Sequence, residues 1–458
     1  MVTKWTKKIA LLSAAAVALA GLAACADTSE GGGSIDPVTT EKATSGEIVW
    51  WGFTPGSPVN EGYIEAFNKE YPDIKVTWKQ TSIEDYDAAI RPALGNTEGL
   101  DVYQLSAGSA NGGAAVFGPN AIDLSAAVEQ SLGADWKDQL SATGVNALTI
   151  DGELKALAAG AVFSGTIFIN QDLFDKYSLK APTNWDEWKS VCDTFKKNKV
   201  GCFIQGAGQG AFNIDTVHAI ADNVAPGNFV KATKGELDWT DPSLVKAFEL
   251  WKKLFDEGIM QDGALGQMQY PEAHNGFMSG KYAMVMMGTW YLQFLSPDVM
   301  KAAMEGAGST DEPFTMMPIY FPDIAGTGHT GSLFGDVDYG QAVSINSQNK
   351  GPATTFALWL GTSDAGQQAI ADSLNLIPAL KKITPDWNNV KLVNEAKQAE
   401  PTKALVQAAS AVTDAPRFAT INADMNQALM DALAEIAAGK ATPQQAAETL
   451  KTQQETVG

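Results

Sequence analysis

The sequence of 458 residues has few of the residue types on which metal and catalytic sites depend. Its three histidines, His218, His274 and His329, are far apart and lack the spacing of metal ligands, so we expect no metal site. No Gly-x-Ser-x-Gly motif supports a Ser-His-Asp triad, and no Cys-x-x-Cys pair supports a redox centre. We therefore expect no cofactor.

Positive charge is also scarce. The chain has 53 acidic residues against 32 basic ones, a formal net charge of −21, and only Arg91 and Arg417 are arginines. This balance argues against nucleic acid or an anionic membrane surface as a partner. Arg417 lies at the start of a predicted helix, where a positive charge is unfavourable, so we regard it as a candidate functional residue.

Long apolar runs are confined to the N-terminus. Residues 1–24 combine three lysines with an apolar segment that is short for a membrane span, which is typical of a secretory signal peptide. The ending Leu-Ala-Ala-Cys resembles a bacterial lipobox, in which the cysteine, here Cys25, is lipidated. Residues 25–46 are polar and Gly-rich, which predicts a flexible tether. We expect a lipid anchor on the extracellular face of the cell membrane; ordinary secretion after cleavage elsewhere is the alternative.

Two further cysteines, Cys192 and Cys202, follow and flank a short segment after a predicted helix. Two thiols in an oxidising compartment are expected to pair. We therefore predict a structural disulfide between them.

The order of elements predicts an α/β fold with a parallel sheet. Strands are predicted at 47–53, 74–81 and 100–106, with helices between them. Trp50 and Trp51 lie within the first strand and are predicted to be core. Ligands bind beyond the carboxyl ends of such strands. The predicted ligand edge therefore carries Phe53, Thr54, Ser106 and Ser109.

A second α/β unit is predicted from the strand at 165–170 onward, and the last third of the chain is predicted to be helical. In the helix at 241–258, apolar residues recur at helical spacing and are expected to face a sheet: Leu244, Phe248, Trp251 and Phe255. About 410 ordered residues exceed what one core usually serves, so we expect two domains.

Four segments carry recognisable motifs: INQDLF at 169–174, TNWDEW at 183–188, FMSGKYAMVMMGTW at 277–290, and AVSINSQNKGPATTFALWLGTSDAGQQAIAD at 342–372. Together, and in this order, they resemble the extracellular solute-binding lipoproteins of ABC sugar importers, the maltose-binding-protein family. The similarity runs from about residue 47 to residue 449. The predicted hinge strand at 159–163 departs from the family pattern, and only Phe163 is carried over from it.

The resemblance implies a two-lobed periplasmic-binding-protein-like fold, each lobe a mostly parallel sheet flanked by helices. Lobe 1 is expected to comprise residues 47–158 and 291–345, and lobe 2 residues 159–290 and 346–458. The resemblance also implies a monomer without enzymatic activity. Such a protein closes its lobes over a carbohydrate, which we expect to be an oligosaccharide, and delivers it to the permease subunits of an ABC transporter.

Trp290 is the first candidate for ligand contact. A sugar presents C–H patches and hydroxyls, which suit aromatic faces and charged acceptors respectively. Trp290 follows a predicted strand, at the position where the family places a stacking aromatic; simple burial is the alternative. Met284, Met286 and Met287 are predicted to be core, and Tyr270 and His274 to be packing residues.

The segment 332–344 precedes the third predicted lobe crossing, where relatives carry a Gly-rich turn in the cleft. Asp336 and Asp338 are candidate hydroxyl acceptors there, and Phe334 is a candidate stacking residue; solvated turn acids are the alternative. Further candidates implied by the resemblance are Phe163, Phe212, Asn213, Arg417 and Phe418.

Three other functions remain open. The acids at 336 and 338 would also suit a cationic ligand such as a polyamine, whose binding weakens steeply with salt. Paired carboxylates near aromatic residues are also found in cell-surface glycosidases. An adhesin or sensor lipoprotein is the third alternative.

Overall fold

The computed structural model describes residues 42–83, 85–96, 99–108, 113–418 and 420–457. The predicted signal peptide, Cys25, most of the predicted tether and Ser109 lie outside these residues. The first strand begins at Ser45, inside the range predicted for the tether. Among the described residues, no helix has both the length and the apolar content that a membrane span requires.

The strands and α-helices are numbered in chain order. The strands are β1 Ser45–Gly52, β2 Asp73–Gln80, β3 Val102–Leu105, β4 Thr149–Ile150, β5 Glu153–Leu154, β6 Leu157–Ser164, β7 Thr166–Asn170, β8 Gly201–Ile204, β9 Tyr282–Met287, β10 Met316–Tyr320, β11 Phe334–Val343 and β12 Ile377–Pro378. The helices are α1 Val59–Glu70, α2 Tyr86–Leu94, α3 Gly113–Phe117, α4 Ser125–Leu132, α5 Trp136–Gln139, α6 Ala142–Ala147, α7 Gln171–Lys176, α8 Trp185–Lys197, α9 Gly210–Val224, α10 Asn228–Thr233, α11 Pro242–Asp256, α12 His274–Met278, α13 Pro297–Gly306, α14 Lys350–Thr362, α15 Asp364–Ser373, α16 Glu395–Ser410, α17 Ala423–Ala437 and α18 Pro443–Val457.

The larger sheet has the strand order β12-β6-β11-β3-β1-β2. Strand β1 pairs in parallel with both β2 and β3, and helices α1 and α2 make the crossovers, which confirms the predicted parallel unit. Trp50 and Trp51 are buried, as predicted for residues inside a central strand. The carboxyl ends of β1 and β3 therefore meet at one edge of this sheet.

The smaller sheet has the order β10-β7-β9-β8. Helix α11 buries Leu244, Phe248 and Trp251 in the core beside this sheet, as its helical periodicity predicts, and the three methionines of β9 are buried as predicted. A disulfide joins Cys192 on α8 to Cys202 on β8, which confirms the predicted pairing. The molecule thus has two α/β lobes, each with its own sheet. Both sheets are mixed and not mostly parallel as the resemblance implied, because β6, β7, β10, β11 and β12 pair in the antiparallel sense.

Among the described residues, three chain segments connect the lobes: two of them are neighbours, and the third lies between β12 and helix α16. Strand β6 of the larger sheet is followed directly by β7 of the smaller sheet, with Gly165 between them. Gly165 has a φ of +96°, and a Cβ there would lie 2.1 Å from the carbonyl oxygen of Ser332 on the other connection. Only glycine combines this conformation with so close an approach. Beyond Ser332, β11 returns to the larger sheet and pairs with β6 from Phe334 onward.

The sheets divide the chain differently from the predicted lobe ranges in several places. Most of β6 and all of β12 fall in the ranges predicted for lobe 2 but belong to the larger sheet. Strand β10 falls in the range predicted for lobe 1, but it pairs with β7 in the smaller sheet. Helix α14 falls in the range predicted for lobe 2, but it packs on β11 and β6 of the larger sheet. The remaining lobe boundaries stay a prediction.

The segment expected to form a Gly-rich turn is instead part of a ten-residue strand. Strand β11 lies between β6 and β3, antiparallel to both. Its register with β6 shifts on both sides of Tyr339, next to Asp338. Such a bulge changes the direction of a side chain without ending the strand. Asp336 and Asp338 therefore do not follow the simple alternation of an extended segment.

Candidate functional site

Trp290 lies beside the lobe connections and contacts residues from several elements. It follows β9 and is half-buried, packing against cores of both lobes. Its indole N–H donates a hydrogen bond of 3.1 Å to the hydroxyl of Tyr270, and Phe212 presents its ring at 6.2 Å. The preceding Gly288 is required, because a Cβ there would overlap the Trp290 ring and the carbonyl oxygen of Phe163.

The neighbouring Thr289 ties this segment to the connection between lobes. Its hydroxyl accepts a hydrogen bond of 2.9 Å from the backbone N–H of Phe163 on β6. Phe163 itself is buried. The position of Trp290 is thus coupled to the first lobe connection.

Arg417 lies over the Trp290 ring. Its guanidinium carbon is 4.8 Å from the Trp290 centroid, 4.6 Å from that of Phe418 and 5.9 Å from that of Phe212. Nε and Nη2 donate to the two carboxylate oxygens of Asp215 at 2.7 and 2.5 Å. This bidentate pair fixes the orientation of the guanidinium plane. The Arg417 side chain is therefore a rigid part of the aromatic cluster.

Three carboxylates surround this arginine. Burial opposes the positive charge of Arg417, but Asp215, Asp338 and Asp336 outweigh burial and raise its pKa. Asp336 accepts hydrogen bonds from the backbone N–H groups of Arg417 and Phe418, at 3.0 and 2.6 Å. Asp336, which lies on strand β11, therefore anchors the loop that contains Arg417.

Asp338 differs from the other two carboxylates. It is half-buried, and no described residue donates a hydrogen bond to it. Burial raises the pKa of its carboxyl to about 6, and the charge of Arg417 opposes this shift. Asp338 is thus a carboxylate with acceptor capacity free beside the aromatic cluster.

The larger lobe contributes the loop after strand β1 to the candidate site. The ring of Phe53 is half-buried and packs edge-on against Tyr86 and Tyr339 at 5.3 and 6.0 Å. The side chain of Gln104 on β3 holds this loop, since its Oε1 accepts from the N–H of Phe53 at 2.9 Å and its Nε2 donates to the carbonyl of Thr54. Ser106 follows β3 at the same edge and is half-buried. The neighbour of Tyr339 in the chain is Asp338, so this edge adjoins the carboxylates.

Two candidates lie in the core. Phe334 is fully buried, with its ring stacked on His218 at 3.7 Å, so it has no face open to a ligand. Asn213 is also fully buried, and its amide bonds to Ala207 and Gln205. The sequence suggested a Gly-rich loop for Phe212 and Asn213. They lie instead in the first turn of helix α9. His218 of α9 covers the Phe334 ring, and Asn213 is bonded to residues that precede α9 in the chain.

Two residues of the cluster were not predicted. Tyr270 was expected to be a packing residue, but its hydroxyl accepts the Trp290 indole hydrogen bond. Asp215 follows Phe212 by three residues on α9, and a buried acid on the same helix face as a candidate is a signal that sequence inspection could have used.

Comparison with known proteins gives one family and one fold. Residues 62–401 match the family described as bacterial extracellular solute-binding protein. An ABC transporter extracellular-binding protein of Pyrococcus horikoshii is 27% identical over 150 residues, which are 32% of this chain and 35% of that protein. The alignment thus spans about a third of this relative's length.

Three solved structures share the fold. A protein from work on xylan utilization by Caldanaerobius polysaccharolyticus is 22% identical, with a TM-score of 0.68 over 90% of this chain and 100% of that one. The GacH receptor of Streptomyces glaucescens, described unliganded and with acarbose, is 18% identical, with a TM-score of 0.66 over 90% and 98%. Maltose-bound MalE3 of T. maritima is 17% identical, with a TM-score of 0.64 over 90% and 100%. The two lobes, the chain segments that join them and the family match over residues 62–401 agree: the chain belongs to the bacterial extracellular solute-binding proteins.

Proposed function

We propose that this protein captures a carbohydrate, most suitably an oligosaccharide, by closure of its two lobes and delivers it to the permease of an ABC transporter. The observation that carries the proposal is the group of half-buried aromatic residues Trp290, Tyr270 and Phe418 near Arg417, the cation with which the carboxylate of Asp338 interacts. Aromatic rings bury the C–H patches of a sugar, and a carboxylate accepts strong hydrogen bonds from its hydroxyls. The sugars and glycans that structurally similar proteins are described with support the same ligand class.

Closure would bring Phe53, Thr54 and Ser106 of the larger lobe toward this cluster. A ligand stabilises the closed state only if it contacts both lobes, so these residues would supply the second half of the site. The predicted lipid on Cys25 would keep the protein at the extracellular face of the cell membrane, next to its permease. We propose no bond-making or bond-breaking step.

The position of Arg417 over the Trp290 ring limits which part of the indole a sugar could contact. The Arg417 guanidinium covers part of one ring face, so the sugar would contact the exposed remainder of the indole and the half-buried Phe418 and Tyr270. Arg417 and Asp215 would then act by holding the aromatic rings in place. Phe334 and Asn213 are left out of the proposed contact set because they are buried in the core.

Titration calorimetry of the purified protein against a panel of neutral oligosaccharides tests this proposal. The panel would contain maltotriose, cellotriose, xylotriose and chitotriose, since the linkage is open. Binding of at least one of them, with a smaller hydrodynamic radius or scattering radius in its presence, is the expected result. Absence of binding across a wide glycan panel would contradict the proposal.

A cationic ligand is the second candidate, because three carboxylates face one guanidinium in this cluster. Binding of spermidine with a steep loss of affinity in salt would favour it. The glycosidase alternative has less support, since Asp336 is engaged by two backbone amides and is not free for proton transfer. Release of new reducing ends from a bound oligosaccharide would nevertheless establish it.

A further inference from the structure

The charges of the candidate site are not equivalent, because most of them are already paired within the protein. The charge of Arg417 is balanced by the bidentate contact with Asp215, whose side chain is 1% exposed. Asp336 is engaged by the backbone N–H groups of Arg417 and Phe418. These three groups therefore have structural partners before any ligand arrives.

Asp338 has no such hydrogen-bonding partner among the described residues, is half-buried, and lies at an edge of the larger sheet. It lies at the bulge of β11. On the other side of β11, Gly340 pairs with Leu105, the last residue of β3, so Asp338 extends past the end of β3. This is the edge of the larger sheet that also carries Phe53 and Ser106.

Arg417 is poorly placed to attract an incoming anion and so to offset its repulsion by Asp338. Its guanidinium is contacted by the rings of Trp290 and Phe418, and its Nε and Nη2 donate to Asp215. Arg417 offsets the charge of Asp338 only in part, because Asp215 and Asp336 share the same cation. A ligand carboxylate would thus meet a net negative charge in a partly desolvated site, where like charges repel more strongly than in water. The net charge of the whole chain, −21, acts in the same direction at longer range.

We propose that Asp338 is a specificity-determining residue that restricts the site to uncharged glycans and rejects those carrying a carboxylate, sulfate or phosphate. This inference rests on the proposed carbohydrate-binding function and adds the chemical class of the sugar. Asp338 contributes twice: it accepts hydrogen bonds from hydroxyls of a neutral glycan, and it repels an acidic one. Discrimination by a repulsive element of this kind is a common source of binding specificity.

The test uses matched pairs of oligosaccharides that differ by one carboxylate. Maltotriose, cellotriose and xylotriose are compared with analogues bearing one uronic acid, by calorimetry on the full-length protein at low and high salt. The neutral member is expected to bind at least tenfold more tightly. The ratio of the affinity for the neutral member to that for the acidic member should fall severalfold in Asp338→Asn. Asp338→Glu, which keeps the negative charge, should preserve this ratio.

The control for a general charge effect is Asp193→Asn, an exposed acid on helix α8. This variant removes one negative charge outside the proposed site, and we expect the neutral-to-acidic ratio to stay at the wild-type value. Thermal unfolding of each variant checks that the fold is retained. A narrowed ratio in Asp338→Asn with an unchanged ratio in Asp193→Asn supports the proposal.

Two results would overturn it in distinguishable ways. If neutral and acidic members bind equally, or if Asp338→Asn leaves the ratio unchanged, the role of Asp338 is refuted while the carbohydrate-binding function stands. If no member of any pair binds, the proposed function itself fails, and this inference fails with it.

Discussion

The guanidinium carbon of Arg417 lies 4.8 Å from the centre of the Trp290 ring. This contact joins the loop before helix α17 to the segment after strand β9, more than a hundred residues apart in the chain. A cation over an aromatic face is attracted by the ring quadrupole, and the bidentate bond to Asp215 keeps it there. The residue singled out as a ligand contact is thus itself held in place by a second candidate.

Replacement of Trp290 by alanine tests its role as the central aromatic residue. We expect a loss of binding free energy of about 2 kcal/mol or more, since such residues are typical hot spots. Calorimetry with the best-binding glycan measures the loss. Trp185→Ala is the matched control, because this half-buried tryptophan lies at the start of α8 beneath Lys253. Equal affinity of Trp290→Ala and wild type would remove Trp290 from the site.

The Arg417–Asp215 pair should stabilise the fold as a unit. Removal of one partner from a buried ion pair costs about 3–5 kcal/mol, because the other charge stays buried without compensation. We therefore expect Arg417→Ala and Asp215→Ala to be strongly destabilising in urea unfolding. The double variant should lose less than the sum of the single losses.

The exposed pair of Lys451 and Asp238 provides the control for this experiment. Its charges are solvated, so Lys451→Ala should change the unfolding midpoint little. Additive losses in the Arg417 and Asp215 variants would contradict the coupling inferred from their contact.

Ligand affinity should depend on pH through Asp338. Burial raises the pKa of its carboxyl to about 6, and ligand hydroxyls would bind the ionised form. Ligand binding should therefore lower this pKa, so affinity should be constant above pH 6 and should fall as the pH decreases through about 6. The charged neighbours in this cluster are Arg417, Asp336 and Asp215. Calorimetry between pH 5 and 8 measures the profile, and the profile of Asp338→Asn should be flat in this range; a retained decline would assign it to another group.

The close approach of the two neighbouring lobe connections at Gly165 should require a glycine there. Gly165→Ala adds a Cβ that would overlap the carbonyl oxygen of Ser332, in addition to the strain of a positive φ. Gly152→Ala is a matched control, because Gly152 has a φ of +86° but open space around its Cα. The strain itself costs about 1–2 kcal/mol in each variant. We expect a larger loss of stability and weaker ligand binding for Gly165→Ala, and equal losses would show that the close approach is unimportant.

The disulfide between Cys192 and Cys202 closes a loop with a sequence separation of 10. The chain-entropy argument gives a stabilisation of about 3 kcal/mol for a loop of this length. The double variant Cys192→Ser/Cys202→Ser should lower the free energy of unfolding by this order. A reducing agent should destabilise the wild type but not the variant. An unchanged unfolding midpoint in the variant would refute the stabilising role.

Much of the local structure could be predicted because it depends on neighbouring residues. The alternating pattern of β1 and β2, the apolar spacing of α11 and the Asn that caps α8 are local signals, and these elements lie within a few residues of their predicted positions. Helix α16 lies in the last third of the chain, which was predicted to be helical, but no boundaries were predicted for it. Pro401 lies inside it, and proline usually ends a helix, but here it is accommodated within its sixteen residues.

The candidate site was predicted less completely. Trp290, Phe212, Arg417, Phe418 and Asp336 lie close together, although the sequence offered no means of pairing them. Their contact with a ligand stays a prediction. Tyr270 and Asp215 were missed and Phe334 was misplaced, because each makes its contact with a different segment of the chain. Tyr270 bonds to Trp290, Asp215 to Arg417, and Phe334 stacks on His218. Sequence spacing contains no information on such contacts between distant segments.

The sequence by itself determined the α/β class, the family, the disulfide and the residue types available for binding, since these follow from local patterning, composition and motif order. Tertiary structure alone decided which of those residues meet. In particular, it paired Arg417 with Asp215 and engaged Asp336 with backbone amides, while no residue in the described part of the chain donates a hydrogen bond to Asp338 at the bulge of β11. The reason is physical: a carboxylate's partners and its burial are set by segments far away in the chain, and these determine whether it stabilises the fold or remains available to a ligand.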